Sequence, residues 1–327
     1  MITLKNLAEK TGFSVSVVSR ALNPRTDWHA YMSEPTRRLI LKAARQAGFC
    51  RNRAAEFLKR GGTATVGVFL PDVAYTLTAD LIFGISEVAA QEGFPLQIGF
   101  DAPSHGFRAF LRENMRRRHV GVISYPNPVA ERGTLSMIRE FRKNGGRLIL
   151  LNTPPRKDDI PVIAIDDLKG GRLAAERLLE RKCARYAVMT LPDFCRERAA
   201  GFEKRLELSG QKAERFGSTE GEMRRFFRFC GKPSAASPVG VFAATDFLAM
   251  RMLQHFCETG VKVGRDLLVI GYDDLYLTEA ASPALTTVRQ PFREEGRLAM
   301  RKLLRMIDGQ PEQSELLSPL LVARDSA

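Results

Sequence analysis

The chain has 327 residues, 44% of them hydrophobic, and a formal net charge of +13. That length suits two or three domains able to bury cores of their own, and no apolar run approaches the ~18–20 residues that span a membrane. The start, Met1-Ile2-Thr3-Leu4-Lys5-Asn6, has no apolar stretch or small-residue cleavage site, so no secretory signal and no membrane partner are expected.

The five cysteines, Cys50, Cys183, Cys195, Cys230 and Cys257, are odd in number, widely spaced and form no C-x-x-C. They are expected to be reduced thiols in a cytoplasm and not a disulfide or zinc framework. Charge is unevenly spread. Residues 1–62 hold twelve Lys/Arg against four acids, a net +8, which leaves +5 for the other 265 residues. A small basic head on a weakly basic body is the footprint of a polyanion-binding module, the bland alternative being a solvated basic surface.

The first 49 residues predict three short helices. Thr3 can cap the first, with Leu4, Leu7 and Ala8 on one face, and Gly12 breaks it. Ser14 can cap the second, with Val18, Ala21 and Leu22 inward, before Asn23-Pro24 ends it. Ser33-Glu34-Pro35 opens the third, whose apolar stripe is Leu39, Ile40, Ala43 and Ala44, and Gly48 closes it. Residues 50–62 form a polar linker ending in Gly61-Gly62. Beyond it, strand-length apolar runs alternate with helical patterns. Strands are predicted at 65–70, 96–100, 120–124, 147–151, 162–165, 186–190, 239–243 and 267–270. Amphipathic helices are predicted at 79–92, 131–144, 170–181, 196–209 and 246–259. Such alternation implies parallel sheets covered by helices on both faces, and its length suits two doubly wound lobes.

Two short helices joined by a glycine-containing turn have helix-turn-helix spacing, which would put the N-terminal residues of the second helix at base edges in a major groove. Ser16 and Arg20 are four apart and share a face away from Val18 and Leu22. Arg20 can pair with a guanine or grip a phosphate, Ser16 can bond a base edge, and Val15 can pack on a thymine methyl. A small helical subdomain with an exposed polar face is the competing reading. The ungapped run from Thr3 to Asn23, Thr-Leu-Lys-Asn-Leu-Ala-Glu-Lys-Thr-Gly-Phe-Ser-Val-Ser-Val-Val-Ser-Arg-Ala-Leu-Asn, strongly resembles the opening of the LacI/GalR family of bacterial regulators. By that resemblance Val15, Ser16 and Arg20 fall at base-reading positions and Ser19 and Asn23 near phosphates. Asn6 stands where the family has an acid, and Val17 where it has a Thr that supplies a hydroxyl contact. Residues 24–33 are longer than the usual loop.

The resemblance continues through the linker. The run from Asn52 to Lys59 looks like the family's hinge helix, so Leu58 would be a wedge in the minor groove, Ala55 would pack beside it and Lys59 would lie near a phosphate. Glu56 and Cys50-Arg51 depart from the family pattern. Eight residues do not hold a helix alone in water, so the segment can fold on DNA contact. In the body, landmarks include Ile165-Asp166-Asp167, Arg196 to Phe202, Ala244-Thr245-Asp246, Gly271-Tyr272-Asp273-Asp274 and Pro283 to Val288. They imply a two-lobed sensor like a periplasmic sugar-binding protein. Arg198 and Asp273 match effector-contacting positions, Thr245 belongs to a matching pair, and Tyr75, after the first strand, could stack on a ligand. A carboxylate and a guanidinium suit a polyol.

There is no G-x-G-x-x-G after a strand, no G-x-x-x-x-G-K-[ST], no H-E-x-x-H and no G-x-S-x-G, and the four histidines are scattered. No catalysis, metal or cofactor is therefore expected. Gly170-Gly171 could cap a helix, and Arg116-Arg117-Arg118 reads as a solvated helix end. The expected organisation is an all-α helix-turn-helix head (1–49), a hinge (50–62), and a two-lobed α/β domain of doubly wound parallel sheets (63–327). The resemblance implies a homodimer on a pseudo-palindromic double-stranded operator, probed by a sugar-like effector with a nucleobase as the alternative ligand. A sensor that no longer reads DNA, or an enzyme built on the α/β body, are the rival classes. Against the first stands the basic head with Arg20 and Leu58 intact, and the second would need a nucleophile or acid cluster that the motifs do not supply.

Overall fold

The computed structural model describes residues 2–22, 32–49, 62–70, 76–100, 106–125, 133–153, 159–191 and 195–327. The head is built from α1 (Leu4–Thr11), α2 (Val15–Ala21) and α3 (Glu34–Gln46). Thr3 caps α1, and Asn6 completes the capping box: its Oδ1 accepts the Thr3 backbone N–H at 3.0 Å while the Thr3 hydroxyl accepts from the Asn6 N–H at 3.2 Å. The residue that departs from the family pattern thus performs the usual acid's capping task, worth about 1 kcal/mol. Gly12 then takes the left-handed conformation, φ 73°, that ends α1. Ser14 and Ser33 cap α2 and α3.

The inward faces of these helices meet in one small core of Leu7, Ala8, Val18, Ala21, Ile40 and Ala44. Leu39 departs from the expected stripe. One position before Ile40, it is turned about 100° away by the helical pitch and is 51% exposed.

The chain as a whole divides into two compact units, residues 1–163 with 293–315 and residues 164–292 with 316–327, so it passes between them three times. In the first, a six-stranded sheet is formed by β1 (Thr63–Leu70), β2 (Leu96–Phe100), β3 (His119–Ser124), β4 (Arg147–Leu151), β5 (Val162–Ile165) and β11 (Glu315–Leu317). Their spatial order is β11-β5-β4-β3-β1-β2. Helices α4 (Thr76–Glu92), α5 (Phe107–Arg116), α6 (Thr134–Lys143) and α12 (Phe292–Ile307) accompany it. The α12 side chain of Arg297 donates to Glu87 on α4 at 2.7 Å.

The second unit repeats the plan. Its sheet is β12-β10-β9-β8-β6-β7, made from β6 (Arg185–Met189), β7 (Ala213–Phe216), β8 (Val239–Ala243), β9 (Leu267–Asp273), β10 (Thr286–Arg289) and β12 (Leu320–Val322). Its helices are α7 (Asp167–Glu180), α8 (Arg196–Glu207), α9 (Glu220–Cys230), α10 (Asp246–Cys257) and the short α11 (Leu277–Ala280). Apart from β12, which runs antiparallel to β10, every ladder between its strands is parallel. The expectation of purely parallel sheets is corrected at that edge. A three-residue strand entering from the chain's last segment makes no βα crossover, and only such crossovers impose parallel direction.

Buried on both faces, the central strands are continuous apolar runs, as in Val239–Ala243. In each sheet the chain moves from the first strand to one side and then returns past it, creating a switch point beyond the carboxyl ends of β1 and β3 and of β6 and β8. Ligands bind at such points in doubly wound folds.

Candidate functional site

Two sets of residues carry the sequence-based expectations. The first is α2. Val15 is 45% exposed and Ser16 is exposed, while Ser19 and Arg20 are half-buried. Val18 and Ala21 face the core, and Val17 packs partly against it. The Ser14 hydroxyl accepts from the Val17 N–H at 3.3 Å and lies 2.9 Å from the Ser16 hydroxyl, so one donates to the other. The start of α2 is thus an apolar tip beside a hydroxyl with no tertiary partner among the described residues. Asn23, Ala55, Leu58, Lys59 and Tyr75, and all but the last two residues of the 24–33 loop, lie outside the described residues.

The second set lies at the carboxyl ends of β8 and β9 in the second unit. Arg198, in the first turn of α8, has its guanidinium fixed on three sides. Its Nε donates to Asp167 Oδ1 at 3.1 Å, and its Nη1 donates to the Ala244 carbonyl at 2.8 Å and to Asp273 Oδ1 at 3.1 Å. Its Cζ sits 3.8 Å from the centre of the Tyr272 ring, a cation–π contact. The Tyr272 hydroxyl donates to Asp167 Oδ1 at 2.7 Å, and Gln290 Nε2 donates to Asp273 Oδ1 at 2.6 Å.

The backbone is arranged for this closeness. Gly170 and Gly171 do not cap a helix as expected; they lie inside α7. A Cβ on Gly171 would come within 1.9 Å of the Arg198 carbonyl oxygen, and one on Gly170 within 2.3 Å of the Tyr272 hydroxyl. The two glycines let α7 touch α8 and the ring directly. Strand β9 also runs to Asp273, further than the predicted end at Ile270. There the chain turns with φ 119° at Asp273, a rare conformation for any residue but glycine, and φ 55° at Asp274, in the left-handed region that aspartate visits more readily than most.

Charge is finely balanced here. Burial pushes the Asp273 carboxyl up to about 7, against the pull of Arg198. Burial also works against the charge on Arg198, but Asp273 and Asp167 outweigh it and raise its pKa above the usual arginine value. The Tyr272 phenol is held far above its usual range by burial and then by Asp167. Alongside, the wholly buried Asp246 accepts from Thr287 Oγ1 at 2.5 Å and from the Leu275 N–H at 2.8 Å. Burial raises it to about 6 despite those bonds. Asp274 is held by Arg324 at 2.8 Å and by Arg289 at 2.5 Å.

The fold therefore brings Arg198 and Asp273 together. Thr245 is placed next to them in sequence at the start of α10, where its hydroxyl caps the helix by accepting from the Leu248 N–H at 3.3 Å. Three members of the cluster were not among the expected site residues. Asp167 and Tyr272 sit within recognised landmarks, so that signal could have found them. Gln290, just after β10, carried none.

Comparison with known proteins supplies the context. A periplasmic binding protein-like domain family matches residues 175–327. The HTH-type transcriptional repressor CytR of Escherichia coli (strain K12) is 28% identical, over 99% of this chain and 96% of its own length. The chain is similar along its whole length to HTH-type transcriptional repressors. Two solved structures share the fold of this chain along its whole length. The lac repressor dimer bound to operator and the anti-inducer ONPF superposes with a TM-score of 0.69 at 23% identity, covering 99% of this chain and 98% of that one. A CelR–cellobiose complex gives 0.68 at 22% identity and covers 100% of both. Among the described residues no helix is long and apolar enough to cross a membrane.

Proposed function

We propose that the protein is a ligand-controlled transcriptional repressor that binds a pseudo-palindromic operator as a homodimer and works where its DNA is, in the cytoplasm. The observation that carries this reading is the open start of α2, with Val15 and Ser16 exposed and Arg20 one turn on. It is supported by the full-length likeness to CytR. Residues 1–49 form the reading head, 50–62 the hinge and 63–327 the sensor. In the major groove Val15 and Ser16 meet base edges, Arg20 a guanine or phosphate, and Ser19 and Asn23 phosphates, with Val17 at their side. In the hinge Leu58 wedges between base pairs, flanked by Ala55 and Lys59. The unstacking costs a few kcal/mol and is offset by the contacts a bent duplex permits.

The effector is a sugar-like molecule. Asp273 accepts from its hydroxyls, Arg198 holds that carboxylate in place and offers its own edge, and Tyr75 and Thr245 complete the site. The cellobiose complex of the structurally similar CelR supports this class. Effector binding favours one state of the sensor, and by linkage the same free energy changes operator affinity. The relatives are regulators, and the reading assigns this chain no reaction. Selection of bound duplexes from a random pool tests it. A recovered pseudo-palindrome that outcompetes random DNA by ~10³ or more supports the repressor, and recovery of no sequence overturns it.

A further inference from the structure

A run of basic residues that the head does not account for lies at one corner of the first unit. Helix α5 ends in Arg116, and Arg117 and Arg118 follow before β3 begins at His119. All three arginines are exposed. Their turn is held by local bonds. Arg118 holds φ 53°, and the Asn114 amide donates to the Phe110 carbonyl at 2.8 Å. That leaves Asn114 Oδ1 to accept from His119 Nδ1 at 2.7 Å, and burial, then Arg117, keep this histidine below its usual pKa. Glu113 orders two of the guanidiniums. Its carboxylate takes Arg116 Nε at 2.9 Å and Nη2 at 2.8 Å, and also bonds Arg117 Nε. Glu113 thus faces two of the three arginines. The exposed Lys143 closes α6 just before β4, which lies beside β3 in parallel register, and so adds to the same edge. The exposed Glu92 at the end of α4 and the exposed Glu140 on α6 are the other acids nearby.

The place of this corner gives it meaning. The Thr63 N–H, at the first residue of β1 after the linker, donates to the Arg118 carbonyl at 3.2 Å, and Thr63 pairs with His119. The chain that leads to the reading head therefore leaves the sheet at the arginine corner itself. Exposed guanidiniums, two of them ordered by Glu113, stand where the chain from the head enters the sheet, a place suited to a polyanion bound by that head.

We propose that Arg116, Arg117 and Arg118, with Lys143, form a second DNA contact, gripping backbone phosphates beside the base-reading site and adding affinity without sequence preference. The inference rests on the repressor reading above. Each neutralised phosphate releases counterions, so it shows in the slope of log affinity against log salt, about 0.9 per contact.

The test uses the full-length protein and the operator recovered by selection, with dissociation constants measured between about 50 and 200 mM salt. The combined variant R116Q/R117Q/R118Q is expected to bind about ten-fold or more weakly on operator and on random DNA alike. Its salt slope should be shallower by about 2 to 3, with unchanged ranking of mismatched operators. R116K/R117K/R118K, which keeps the charges, is expected to keep the slope, and circular dichroism and the unfolding midpoint of both variants check the fold. A glutamine variant that is folded and keeps the parent's slope overturns this inference alone. A loss that the lysine variant shares, or that changes operator ranking, overturns it by showing a structural or base-reading role. A parent that binds DNA with no salt slope overturns this inference and the repressor reading together.

Discussion

The start of α2 and the Arg198 cluster are built on opposite principles. On α2 the side chains with chemistry to offer are left open: Val15 is 45% exposed, and among the described residues the Ser16 hydroxyl has only its neighbour Ser14 for company. Around Arg198 the polar groups of the cluster satisfy one another, with three acceptors and an aromatic ring on a single guanidinium. An open face waits for a partner that brings its own hydrogen-bond groups, as a base edge does. A closed network is already at low energy, and a ligand must replace bonds one for one. Substitutions should therefore have nearly opposite signatures in the two places.

The largest effect is expected at Arg198→Ala. It leaves Asp167 and Asp273 close together in a buried site without their cation, which costs about 3–5 kcal/mol of stability. Chemical denaturation followed by circular dichroism measures it. A loss below about 1 kcal/mol would mean that the network is not closed and that water already shares the arginine. Next comes Arg20→Ala. Stability should stay within about 0.5 kcal/mol of the parent, while discrimination between operator and single-base variants falls by roughly 1–3 kcal/mol at the contacted position. Competition binding reads this directly. A stability loss with unchanged discrimination would move Arg20 from the open class to the closed one.

The smallest effect concerns protons. Asp246 and Asp273 bind a proton with pKa about 6 and about 7 in the folded protein, against an ordinary value of 3.8. The folded state holds protons that the unfolded chain has already lost, so the stability these groups contribute is full below about pH 4 and is lost as pH rises toward about 7. Urea midpoints at about pH 5 and about pH 7.5 should show a shallower decline for Asp246→Asn than for the parent. Overlapping pH profiles would show that Thr287 and Leu275 hold this carboxylate ionised.

The same contrast explains what could be read from the sequence. The head was legible because its logic is local. Thr3, Ser14 and Ser33 cap the helices they precede, and Leu7, Val18 and Ile40 fall on inward faces. Even so Leu39 was misplaced, since an apolar residue at the border of a stripe gives no sign of which way it faces. Strands of four or five apolar residues were equally clear. Ala213–Phe216 was not, because an edge strand with a single buried residue reads as polar chain. Helices α5, α9 and α12 were not singled out; all three are rich in arginine, and α12 carries Gly296 within it. The Arg198 cluster is the hardest case. Asp167 is 31 residues before the arginine and Asp273 75 after it, with Gln290 a further 17 along. Only the resemblance pointed at two of its members, and nothing local marked Gln290.

The three passages of the chain between the units also set a timetable for its synthesis. The first unit takes residues 293–315 into its body, and Arg297 on α12 must arrive before Glu87 has this partner. The second unit takes up residues 316–327. Neither sheet has its full set of strands while the ribosome is still upstream of this last stretch. For most of translation the nascent protein offers a finished head followed by two unfinished layers of apolar strands. A chain broken off before residue 315 would be released with both units incomplete, and such a chain is open to proteases and aggregation.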